Sequence, residues 1–182
     1  MPYLTSQNNM KGIADAFLRD PDLYHPLLEY INQVMTRESQ VSIPEREMIA
    51  AYVSVLNGCD FCVGVHHQTL EAFGIAQSVI DQLGRDTAFE VLEERMTAAL
   101  YFAEKLTQDP HHIRHDDIQQ LLDQGWTEQA VEDITNVVSL FSCVNRLVDA
   151  MGFTGDQGYF ERIGSMLATQ GYQPLIDRLR KQ

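Results

Sequence analysis

Apolar residues recur along this chain at intervals of three and four, and the alternating Val/Ile/Thr-rich stretches that mark strands are missing. The pattern predicts an all-α protein. Punctuation residues set the helix limits. An N-terminal pair is expected over 9–18 and 21–35, with Pro21 in the first turn of the second. Ser42, Ile43, Pro44 and Glu45 spell a capping box that opens a helix running to Leu56. Asn57-Gly58 is a turn pair, and the helix after it ends at Gly74. Short and longer helices follow over 77–83 and 89–107, up to the break at Asp109-Pro110. His115 to Asp123 reads as another, closed by Gly125. Thr127 caps a long amphipathic segment from Glu128 to Met151, ended by Gly152. A final helix over 157–169 leads into a polar tail, "GYQPLIDRLRKQ".

Composition narrows this to a globular chain. At 182 residues and 45% hydrophobic, it can build one substantial core, expected as a compact bundle of helical hairpins in a single domain over 1–182. Within it, 1–41 supply N-terminal helices, 42–152 the central part, and 153–182 a C-terminal helix and tail. The 13 Lys+Arg against 26 Asp+Glu give a net charge of -13, which repels nucleic-acid phosphates and anionic lipid, so neither is an expected partner. The first residues lack the basic, apolar and small-residue zones of a signal peptide, and no apolar run is long enough to span a membrane. A cytoplasmic location is the resulting expectation. In a reducing compartment, three cysteines are too few for a disulfide framework, and a close pair points to redox, catalytic or metal chemistry.

That pair lies in "NGCDFCVGVHHQTL". On a helix, Cys59, Cys62 and His66 form one stripe, while His67 is turned about 100° away. Following Gly58, the dithiol sits at the helix start, where free N–H groups and the helix dipole stabilise a thiolate. On that ground Cys59, nearer the start, is the favoured nucleophile. Glu47 lies on the preceding helix and can reach His66 or Cys59 if the two helices pack against each other. Zinc is the sharpest rival, with Cys59, Cys62, His66 and His67 as ligands, but one helix presents only part of a tetrahedral shell, so no metal is expected. The cluster His111, His112, His115, Asp116 and Asp117 reads as a solvated helix entry. Cys143 is expected in the core on a stripe with Leu140, Val144 and Leu147, and Arg146 is given no catalytic role. Phosphate-binding glycine loops and haem or flavin signatures are absent, so no cofactor is implied.

Glu47, eleven residues, Cys59-x-x-Cys62, three residues and His66, followed by Leu70 and Gly74, resembles the alkylhydroperoxidase D-like group of the carboxymuconolactone decarboxylase superfamily. The segments "ALYFAEKLTQDP" and "LFSCVNRLVDAMG" are similar to those of its peroxidase-related subgroup, and the resemblance spans 42–152. It implies that Cys62 is the peroxidatic cysteine, Cys59 the resolving cysteine, and Glu47 and His66 a proton relay. The implied activity is antioxidant: a cysteine-based peroxidase reducing hydrogen peroxide or organic hydroperoxides, recycled by a dithiol electron donor and assembled as a homo-oligomer, trimer or hexamer. The alternative is a general thiol-disulfide oxidoreductase or redox-responsive protein with the same dithiol. Lactone decarboxylation ranks third, because it has no use for the dithiol. The family often has a histidine immediately before the second cysteine, and here that residue is Phe61.

Overall fold

Ser42 opens the helix on which the rest is assembled: its hydroxyl accepts from Glu45 N–H while Glu45 Oε2 accepts from Ser42 N–H at 2.7 Å. The computed structural model describes residues 2–84 and 89–181. Among these there is no strand. In chain order the α-helices are α1 (Ile13–Arg19), α2 (Pro21–Thr36), α3 (Ile43–Asn57), α4 (Asp60–Ala72), α5 (Gln77–Ile80), α6 (Glu94–Gln108), α7 (His115–Asp123), α8 (Glu128–Met151), α9 (Gln157–Gln170) and α10 (Gln173–Leu179), with short 3-10 turns at Thr5–Gln7, Asp81–Leu83 and Pro110–His112. No described helix is long and apolar enough to cross a membrane.

α3 is the central element. Residues Arg46 through Ser54 are buried without a break, and the helix packs on α4, α6 and α8. A helix covered on all sides shows little amphipathic pattern, so its limits come from its caps: Ser42 at one end and Gly58 at φ 74 at the other. α8 covers α3 and α6 with Ile134, Val137, Val138, Phe141, Val144 and Val148.

α4 makes its most extensive contact with α9. Two glycines allow that approach. A Cβ on Gly64 would lie 2.5 Å from the Phe160 ring, and one on Gly164 would lie 2.6 Å from the backbone carbonyl carbon of Gln68.

Three limits differ from the sequence reading. The first helix begins at Ile13, because a 3-10 turn and extended Gly12 precede it. α6 begins at Glu94 rather than at 89. The supposed polar tail folds as α10, whose Ile176 and Leu179 are buried against the α1–α2 side, with Arg180 bonded to Glu29 on α2 at 2.8 Å. A seven-residue helix has little stability of its own, and tertiary packing supplies it.

Gly164→Ala should destabilise the protein by about 1–3 kcal/mol, read from urea unfolding, because the new methyl meets backbone. If close approach were unimportant, the same change would instead stabilise by up to about 1 kcal/mol through helix propensity.

Candidate active site

The α3–α4 turn sets the cysteines. Gly58 takes the left-handed conformation that ends α3, and Cys59 becomes the N-cap residue of α4, its N–H bonded to Ser54 O at 3.0 Å. A buried polar clamp ties this turn to α8. Asn57 Nδ2 donates to Asn145 Oδ1 at 2.9 Å, Asn145 Nδ2 donates to Ser54 Oγ at 3.0 Å, and Ser54 Oγ donates to Ala50 O at 2.8 Å. Asn145 is fully buried, so its amide is a structural requirement of the turn. Cys62 then falls in the first turn of α4.

Behind the cysteines, Glu47 of α3 and His66 of α4 meet at 2.6 Å, carboxylate Oε2 to ring Nδ1, with only 3% and 2% of each residue exposed. Phe141 of α8 meets the imidazole edge-on, with centroids 4.5 Å apart, and fixes the ring plane. His66 and Cys62 both open on an apolar cavity of about 80 Å³ between α1, α2, α4, α8, α9 and the start of α10. Cys62 retains 4% of its surface and Cys59 none, so the cavity side of the pair belongs to Cys62. The hydrogen bond shared with Cys62, burial and the neighbouring Asp149 carboxylate push the Cys59 thiol up from its ordinary pKa. Cys59 keeps its proton at neutral pH.

The sequence placed Glu47, Cys59, Cys62 and His66 in one group, and the fold brings all four together. Both cysteines of the pair are buried. One expectation is corrected. Cys143 is exposed rather than in the core, because the buried stripe of α8 runs through Val137, Phe141, Val144 and Val148 and turns residue 143 outward. Arg146 is exposed and bonds Ser142 O on its own helix. His67 stays off the cavity; burial, then the charge of His66, lower its pKa. His111 and His112 are exposed, and no group of three or more His, Cys, Asp or Glu among the described residues is arranged to hold a metal ion.

Phe61 forms a wall of the cavity, its ring 5.5 Å from that of Tyr159 and 5.7 Å from that of Phe160. Sequence reasoning missed Asn145, Asp149 and Tyr172. Asn145 and Tyr172 come from parts read as ambiguous or as tail, and only the packing of α8 and α10 brings them near the cysteine turn.

The residues from 21 to 105, which carry Glu47, Cys59, Cys62 and His66, match the family model described as "Carboxymuconolactone decarboxylase family". The fold matches that of solved proteins described as peroxidase-related. A peroxidase-related protein from Silicibacter sp. TM1040 superposes with a TM-score of 0.77 at 27% identity, over 81% of this chain and 78% of that one. A second, described as an alkylhydroperoxidase AhpD core from Ralstonia eutropha JMP134, gives a TM-score of 0.75 at 25% identity, over 82% and 78%. The Bacillus subtilis (strain 168) protein YdfG is 26% identical over 117 residues, 64% of this chain and 80% of its own length. The matched segment ends before α7, so Phe141, Asn145 and Tyr172 lie outside it.

In a Cys143→Ser background, limiting iodoacetamide should label Cys62 well before Cys59, as read by peptide mass mapping. Preferential labelling of Cys59 would reverse the assignment of the cavity-facing sulfur.

Proposed function

We propose that the protein is a cysteine-dependent peroxidase in which Cys62 attacks a hydroperoxide and Cys59 resolves the product. The observation that carries this reading is the convergence of Cys62 and His66 on one apolar cavity, with Glu47 holding the imidazole from behind. A dithiol used for exchange with protein disulfides needs an accessible sulfur, and here both cysteines are buried. A cavity of this size instead admits a small molecule with an apolar tail.

The chemistry balances with the groups present. Cys62 gives its proton to the His66–Glu47 pair, and its thiolate attacks the terminal oxygen of ROOH. The S–O bond forms as the O–O bond breaks, sulfur is oxidised to sulfenic acid, and the departing RO⁻ recovers the proton from the pair and leaves as ROH. The Cys59 sulfur then attacks the Cys62 sulfenic sulfur, and hydroxide leaves with the Cys59 proton as water. The resulting Cys59–Cys62 disulfide is reduced by a small-molecule dithiol that reaches it through the cavity and becomes a disulfide in turn.

Each residue has a physical task in this sequence. The bond from Glu47 to Nδ1 orients the imidazole and leaves Nε2 for proton exchange. Cys59, kept protonated, is a hydrogen-bond donor to Cys62 before it becomes a nucleophile. The apolar wall, Phe61 included, removes water that would otherwise solvate the thiolate.

Hydroperoxide consumption with a dithiol reductant tests the reading. Wild type should turn over an apolar organic hydroperoxide faster than hydrogen peroxide, Cys62→Ser should be inactive, and Glu47→Gln should lose roughly a hundredfold or more in kcat/KM. Full turnover by Cys62→Ser would overturn the mechanism.

A further inference from the structure

The relay leaves two polar groups of the cavity unused, the hydroxyls of Tyr159 and Tyr172. Four lining residues carry a polar atom: Cys62, His66, Tyr159 and Tyr172. Tyr159 has its hydroxyl beside Gly12 before α1, where an added Cβ would meet it at 2.2 Å. Its pKa is pushed up to about 12 by burial and by Asp15, with Arg162 opposing, so neither Cys62 nor Glu47 governs it. Tyr172, at the start of α10, lines the same cavity as Cys62 and His66. Burial raises its pKa well above the ordinary phenol value, followed by the charges of Glu47 and Cys62. The two groups that act on this phenol are thus the reacting sulfur and the relay carboxylate.

The backbone holds Tyr172 there. It is the N-cap residue of α10, and its N–H donates to Asn32 Oδ1 of α2 at 3.3 Å. Immediately after it, α10 is anchored through Ile176 and Leu179, and packs on α1 and α2. Part of the residue faces solvent while its side chain lines the cavity beside Cys62 and His66.

We propose that Tyr172, contributed from outside the matched segment, is a hydrogen-bond donor in the reaction: its O–H stabilises the Cys62 thiolate and then the alkoxide oxygen released as the S–O bond forms. The inference rests on the peroxidase reading for its second half only. A phenol that does not ionise in the working pH range remains a donor throughout. In an almost wholly apolar cavity, a donor that lines the same space as the reacting sulfur acts on developing negative charge with little screening by water. The pair Glu47–His66 moves the proton, and Tyr172 lowers the energy of the charge that the proton movement creates. The titratable groups around this sulfur are Glu47 of α3, His66 of α4, the capping Cys59, Asp149 of α8 behind Cys59, and Tyr172 of α10.

Two readouts on Tyr172→Phe separate this inference from the activity itself. In a Cys143→Ser background, the pH profile of Cys62 alkylation should move to higher pH, whether or not the protein turns over peroxide. The kcat/KM for hydroperoxide should fall roughly ten- to a hundredfold, with the unfolding midpoint little changed. A ring-fluorinated tyrosine at position 172, a stronger donor of the same shape, should move the alkylation profile to lower pH, and decides the matter if the Phe variant folds poorly. Unshifted alkylation profiles in the folded variants would overturn the proposal. Absent peroxide turnover in wild type, with the alkylation shifts present, would overturn the peroxidase reading and keep Tyr172 as the donor to Cys62.

Discussion

A carboxylate and an imidazole buried in contact, Glu47 against His66 at 2.6 Å, constrain everything around them. Removing two such groups from water is costly unless each satisfies the other, and breaking such a pair from one side costs about 3–5 kcal/mol. The pair therefore requires α3 and α4 to pack in one register. The caps at Ser42, Gly58 and Cys59 set where each helix begins and ends, and the Asn145 clamp holds the turn between them. Given that register, Cys62 has one position open to it, beside His66 on the cavity.

The two cysteines differ because of where α4 starts. Helix-dipole reasoning favours the residue nearest the N-terminus, and on sequence alone that was Cys59. In the fold, Cys59 is the cap, fully buried and sharing hydrogen bonds with Cys62 and Asp149, and these neighbours keep it protonated. Cys62, in the first helical turn, is the sulfur that reaches the cavity. The family resemblance assigns Cys62 the reacting role, and the local structure makes it the sulfur that faces the cavity.

Much of this was legible in the sequence because the signals were local. Capping box, Asn-Gly turn and the spacing from Cys59 through Cys62 to His66 each depend on a few adjacent residues, and they located α3, α4 and the long α8. Glu47 was legible because two helices joined by a two-residue turn must pack side by side. What failed depended on distant packing. Cys143 shares helical spacing with core residues, yet the neighbours that cover α8 leave it outside. The last segment reads as polar because α10 is seven residues long and gains its order from α2. Its Tyr172 joins the lining of the cavity from 106 positions beyond His66, a distance that no local pattern reports.

The account's central claim is that Cys62 is the sulfur oxidised by peroxide and Cys59 the one that resolves it. Its most direct test is to treat reduced Cys59→Ser protein with one equivalent of an organic hydroperoxide in the presence of a sulfenic-acid trapping reagent, then map the adduct by peptide mass spectrometry. The account predicts the adduct on Cys62. An adduct confined to Cys143, or found at Cys59 in the reciprocal Cys62→Ser protein and absent from Cys62 here, would contradict it.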